Sequence, residues 1–101
     1  MPAVRDVTPP IHPQPQRRPQ YGSDVIVDML HACGIVYAAC NPGASFRGLH
    51  DSIVNYGGNR MPELLECCHE EISVAMAHGY AKATGTPMAA LLHNIVGLQH
   101  A

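Results

Sequence analysis

From Gly22 onward the apolar positions switch between two spacings, and each switch marks a new element. Ile26, Met29, Leu30 and Cys33 recur at steps of three and four, the signature of one helical face. Ser23 offers an N-cap and Gly34 a stop, so a first helix is predicted between them, turning those four residues inward. Ile35-Val36-Tyr37-Ala38-Ala39-Cys40 is then a continuous apolar run, the pattern of a strand buried on both faces. Asn41-Pro42-Gly43 supplies turn chemistry. A second helix is predicted from about Ser45 to Tyr56, burying Phe46, Leu49, Ile53 and Tyr56 and ended by Gly57-Gly58. A short strand around Leu64 to Cys67 leads into a third helix at Glu70. There Ile72, Ala75, Met76, Gly79 and Ala83 form one stripe, and Gly85 followed by Pro87 ends it. Met88 to Leu92 reads as a third buried strand, with another helix due after Gly97.

The order helix, strand, helix, strand, helix, strand requires crossover connections and a parallel sheet. The fold class expected is therefore α/β, a partial doubly wound parallel sheet of three strands alternating with helices. Such sheets usually carry more than three strands, which predicts that residues 22–101 are the N-terminal part of an incomplete domain. Residues 1–21 differ in kind: Pro2, Pro9, Pro10, Pro13, Pro15 and Pro19 interrupt a stretch with few large apolar groups. It has too little surface to bury against its ordering entropy and is expected to be a disordered leader.

Composition narrows the function classes. The hydrophobic share of 47% is that of an ordinary globular protein, and a net charge of -2 with no basic patch beyond Arg17-Arg18 argues against nucleic acid or an anionic membrane as partner. No apolar run approaches the ~20 residues that span a bilayer, and the N-terminus lacks the apolar core of a signal peptide. Four cysteines in that setting predict free thiols in the cytoplasm.

The candidate chemistry lies after the strands. In a parallel sheet the segments that follow the strands gather at one edge. They are Asn41-Pro42-Gly43-Ala44-Ser45, Cys68-His69-Glu70-Glu71 and His93-Asn94-Ile95-Val96-Gly97. Taken singly, Glu70 or Glu71 can serve only the helix dipole, worth roughly 0.3–1 kcal/mol. His69 and His93 can be ordinary hydrogen-bonded residues, and Asn41-Pro42-Gly43 a plain turn. Their meeting at one edge is what favours a ligand site. A rival is a Cys/His metal module built from Cys67, Cys68 and His69 with Cys33, Cys40 or His93. Adjacent Cys67 and Cys68 would point to opposite faces of a strand, which weakens it. A reactive thiol at Cys67 or Cys68, close to a helix N-terminus, is a further alternative.

His69-Glu70, Ala75, Ala77 and the run Gly79-Tyr80-Ala81-Lys82-Ala83-Thr84-Gly85 resemble the N-terminal pyrimidine-binding domain of thiamine-diphosphate-dependent enzymes. That family includes acetolactate synthase, benzoylformate decarboxylase, pyruvate oxidase, glyoxylate carboligase and oxalyl-CoA decarboxylase. Asn41-Pro42-Gly43 is similar to the family's first loop, and Leu92-His93 through Gly97 and Ala101 to its third. The resemblance covers about residues 22–101 and implies a flavodoxin-like pyrimidine-domain topology. It also implies thiamine diphosphate as cofactor and a 2-keto acid decarboxylase or carboligase, acetolactate-synthase-like in class. Glu70 would hydrogen-bond the pyrimidine N1′ and favour the imino tautomer that takes the thiazolium proton. Asn41, Pro42 and Gly43 would lie on the cofactor side, and Ala44, Ser45, His93 and Asn94 on the substrate side, with His93 as acid or base.

Ala44 stands where benzoylformate decarboxylase has serine, and His100 where asparagine is common; both argue against benzoylformate itself. The family's Mg²⁺ and diphosphate are held by a separate domain with a Gly-Asp-Gly motif that nothing in this sequence matches. The implied partner is therefore a second subunit or longer homologue carrying that domain, with Gly79 giving close packing against it. The motifs are silent on FAD. By itself the chain is expected to be inactive. The alternative within the resemblance is a non-catalytic remnant or regulatory pairing module.

Overall fold

The computed structural model describes residues 18–101, so nearly all of the leader expected at 1–21 lies outside the described residues. Three strands, β1 (Tyr37–Cys40), β2 (Glu63–Glu66) and β3 (Ala89–Leu91), form one parallel sheet in the order β2-β1-β3. Ala38 pairs with Leu64 on one side and Ala89 on the other. Helices α1 (Gly22–Ala32), α2 (Arg47–Asp51), α3 (Glu70–Thr84) and α4 (Ile95–His100) alternate with the strands. This is the partial doubly wound α/β arrangement that the alternating spacings predict.

The central position of β1 follows from its residues. Ala38, Ala39 and Cys40 are wholly buried, as a strand covered on both faces requires. β2 opens and closes on the exposed Glu63 and Glu66, charges that suit an edge strand. β3 is only half-buried, because it forms the other edge. The core gathers around Val27, Ala38 and Ile53, with Leu49, Tyr56, Leu64, Ala89 and Leu91 packed against them.

Two helices turn a different face inward from the one their apolar stripes predict. In α1 the cap is Tyr21, not Ser23. Ile26 and Met29 are exposed and so is Cys33, while Val27 and the carboxylate of Asp24 are buried. Asp24 is what rotates the helix. Its Oδ2 accepts the backbone N–H groups of Gln20 (3.0 Å) and Tyr21 (3.2 Å), and its Oδ1 accepts the Ser52 hydroxyl (2.7 Å). A carboxylate tolerates burial only when hydrogen-bonded, and here three donors converge on it. The second helix breaks into a 3₁₀ turn (Ala44–Phe46), α2, and a π turn (Ser52–Tyr56) that buries Ser52 and Ile53.

Those bonds make a pH prediction. The Gln20 amide and then the Ser52 hydroxyl outweigh burial and hold the Asp24 carboxyl below its ordinary value of 3.8. A carboxyl so depressed stabilises the fold fully above that ordinary value and loses its contribution as pH falls through the lower, folded one. Asp24→Asn is therefore expected to lower the urea midpoint at pH 7 and to flatten its fall below about pH 4. Parallel acid limbs for the two proteins would refute this.

In α3 the predicted stripe is the outer one: Ile72 and Met76 are about two-fifths exposed, and none of the described residues packs over Gly79. The inward face carries Glu70 and Ser73, with Val74, Ala77, Tyr80 and Ala81 half-buried. It packs on β1 and β3, whose alanines admit a helix faced with small side chains. Tyr80 meets Tyr37 edge-on at 5.6 Å. Gly85 ends the helix in the left-handed conformation (φ 72°), as expected of a glycine there.

Candidate active site

The parallel sheet brings the three post-strand segments to one edge. Asn41 follows β1 directly, and the 3₁₀ turn after Gly43 sets Ser45 and Phe46. Beyond β2 the chain stays extended at His69 (φ -147°, ψ 156°), which caps α3 and makes Glu70 its first residue. His93 comes two residues after β3. Asn94 caps α4, a helix that opens at Ile95 and so contains Gly97, where the sequence places it later.

Glu70 is 7% exposed, although it is a carboxylate at the rim of a sheet. The Asn41 side-chain amide donates to its Oε1 at 3.3 Å. Its other oxygen has no protein partner among the described residues, and no buried side-chain oxygen there is left unsatisfied, so that oxygen stays open to the surface. The first turn of α3 adds the favourable field of its exposed N–H groups. Among the described residues the carboxylate thus has one long hydrogen bond and a helix end as partners, and its open oxygen can accept a further donor. Glu71, by contrast, is exposed.

Gly97 makes this placement possible. A Cβ built there would lie 2.8 Å from Glu70 Oε1 and 3.0 Å from its Cδ. In the sequence pattern Gly97 stands only as the end of a loop. Its available signal was a glycine inside an apolar helical pattern, which usually has a packing reason.

The second half of the edge is built around His93. Its Nδ1 lies 2.7 Å from Ser45 Oγ, and Phe46 meets the ring edge-on at 6.3 Å and 86°. A Cβ on Gly43 would fall 2.5 Å from His93 Cγ, so the glycine backbone lies against the imidazole. The loop from Asn41 to Ser45 therefore touches both groups: Asn41 holds Glu70, while Gly43 and Ser45 hold His93. Pro42 is exposed and, with Gly43, Ala44, Arg47 and His50, lines a pocket of about 280 Å³. Ala44 and Asn94 are exposed, and neither forms a side-chain hydrogen bond to Glu70 or His93. Phe46, Arg47 and His50 are neighbours that the sequence does not single out for this edge.

The thiols divide by burial. Cys67 is buried and Cys68 exposed, and Cys33 is also exposed. Burial, and then the nearby Glu66 and Cys67, push the Cys40 thiol up to about 11, so it stays protonated at neutral pH and serves as a small core residue. Among the described residues no group of three or more His, Cys, Asp or Glu is arranged to hold a metal ion. None of the described helices is long and apolar enough to cross a membrane.

A carboxylate with one open oxygen and a clamped imidazole thus flank one loop, and each is a group able to exchange a proton with a bound molecule. Comparison with protein families matches residues 20–101 to the family described as "Thiamine pyrophosphate enzyme, N-terminal TPP binding domain". Searches of curated proteins and of solved structures return no match.

Proposed function

This chain belongs to the thiamine pyrophosphate enzymes, as their N-terminal TPP-binding domain, and we propose that it forms the aminopyrimidine half of a cofactor site in a 2-keto acid decarboxylase or carboligase, acetolactate-synthase-like in class. The observation that carries this reading is Glu70: a buried carboxylate at a strand-to-helix junction, one oxygen held by Asn41 and the other open. These residues fit an aminopyrimidine, which offers a ring nitrogen to a carboxylate. Gly97 leaves the carboxylate room, and Asn41 fixes its rotation.

Bound thiamine diphosphate supplies a heterocycle able to take up the electron pair released when carbon dioxide departs. The protein's part is to hold and move protons. With the cofactor bound, Glu70 would hold a proton against the ring nitrogen N1′ through its open oxygen, which the ring would cover. Asn41 keeps the carboxylate from turning away. His93, across the same loop, takes or gives a proton at the substrate's oxygen or reacting carbon. The apolar edge of Phe46 limits the ring's freedom to swing.

Mg²⁺ and the diphosphate fall, on this reading, to a second subunit or longer homologue. The outer stripe of α3, with Ile72 and Met76 exposed and no described residue over Gly79, is a surface it can cover. The free thiols of Cys33, Cys40, Cys67 and Cys68 support a reducing compartment such as the cytoplasm. The expected result is that residues 1–101 alone bind thiamine diphosphate with Mg²⁺ more weakly than micromolar. Combined with a diphosphate-binding domain, they should support carbon dioxide release from a panel of 2-keto acids. Isothermal titration and a coupled carbon dioxide assay measure these. Tight binding by the chain alone would refute the half-site, and no release from any 2-keto acid by the combined protein would refute the reaction class.

A further inference from the structure

We infer that Ser45 is a positioning residue for His93: it holds Nδ1, keeps the neutral ring in the Nδ1–H tautomer, and leaves Nε2 as the nitrogen that gains and loses the proton. The inference rests on the proposed substrate-side role of His93. A neutral imidazole carries its proton on either nitrogen, and the partner of one nitrogen decides what the other can do. Three groups pack against this ring, two of them at its Nδ1 end. Ser45 Oγ lies 2.7 Å from Nδ1, the Gly43 backbone lies against Cγ, Nδ1 and Cβ, and Phe46 abuts the ring edge-on. Nε2 has no hydrogen-bond partner among the described residues, and no buried side-chain nitrogen there is unsatisfied, so Nε2 is open to the surface.

The direction of the Ser45 bond follows from what a proton shuttle needs. If Ser45 donated to Nδ1, the single ring proton would sit on Nε2, and the open side would present no lone pair. If Nδ1–H donates to Oγ, the same bond survives in both charge states, and only Nε2 changes. The Ser45 hydroxyl proton is then free for water, which its exposed position allows. A proton taken from the substrate thus arrives at Nε2 and leaves from Nε2, while the Nδ1 proton stays in place.

The test uses the full chain, assembled with its diphosphate-binding partner and labelled with ¹⁵N-histidine. Long-range proton–nitrogen spectra report the tautomer, and the His93 signals are assigned by their loss in His93→Gln. The expected result is the Nδ1–H pattern in the wild type and in Ser45→Thr, which keeps the hydroxyl, and its loss in Ser45→Ala. For Ser45→Ala, kcat is expected to fall about tenfold, the worth of one neutral hydrogen bond, and Ser45→Thr should recover it. An Nε2–H pattern in the wild type, or an unchanged pattern in Ser45→Ala, would overturn the inference. Loss of the Nδ1–H pattern with kcat unchanged would uphold the pairing and reject instead the role of His93 on which it rests.

Discussion

Glu70→Gln is expected to lower kcat by roughly 10²- to 10⁴-fold, the range for a positioned acid or base. The substitution keeps the length of the side chain and an oxygen that can still accept the Asn41 amide. What it removes is the negative charge and the ability to share a proton with a ring nitrogen. Two readings of Glu70 then differ in size. If it only complements the α3 dipole, its loss costs about 0.3–1 kcal/mol of stability and leaves the rate alone. If it activates the cofactor, the same change raises the barrier by about 3–5 kcal/mol with little effect on folding. Steady-state rates at saturating thiamine diphosphate and Mg²⁺, beside a thermal melt, separate the two. A rate within tenfold of the wild type with a lowered melting temperature would return Glu70 to the dipole role.

Gly97→Ala is the second large effect, and in it helix propensity and packing pull in opposite directions. Gly97 lies inside α4, where alanine is favoured over glycine by about 1 kcal/mol. On helix propensity alone the variant would be more stable. The new Cβ, however, would stand 2.8 Å from Glu70 Oε1, too close for any real contact. Either the carboxylate turns off Asn41 or α4 shifts outward. A misplacement of about 1 Å at a reacting group can cost about 10²-fold in rate, so a loss of that order is expected without unfolding. The checks are kcat together with circular dichroism of the folded protein. Unchanged kcat in a folded Gly97→Ala protein would show that the carboxylate has slack, and that its exact placement is unimportant.

Gly43→Ala offers the mirror case at His93, and together these glycines show where legibility stopped. A glycine in a pattern reads as a turn or a helix end, because its most common use is conformational. That its missing side chain makes room for a group dozens of residues away is a fact of tertiary contact. The same limit governs the helix faces. Periodicity finds a stripe, but α1 and α3 each carry two stripes with apolar content. Which one faces inward was decided by the Asp24–Ser52 bond to the π turn in the first and by small residues against the alanines of β1 and β3 in the second. Hydrophobic counting favours Ile26, Met29, Ile72 and Met76, all of which the fold leaves exposed.

By itself, then, the order of residues determined the alternation of helix and strand and the parallel sense of the sheet, since period and turn chemistry are local. It also determined that the segments around Asn41, Glu70 and His93 meet, because parallel strands leave their carboxyl ends on one side. Only the tertiary structure decided how they meet. Asn41 takes Glu70, Ser45 takes His93, and two glycines give the carboxylate and the imidazole their room. Those contacts depend on distances between elements far apart in the chain, and no local preference encodes a distance.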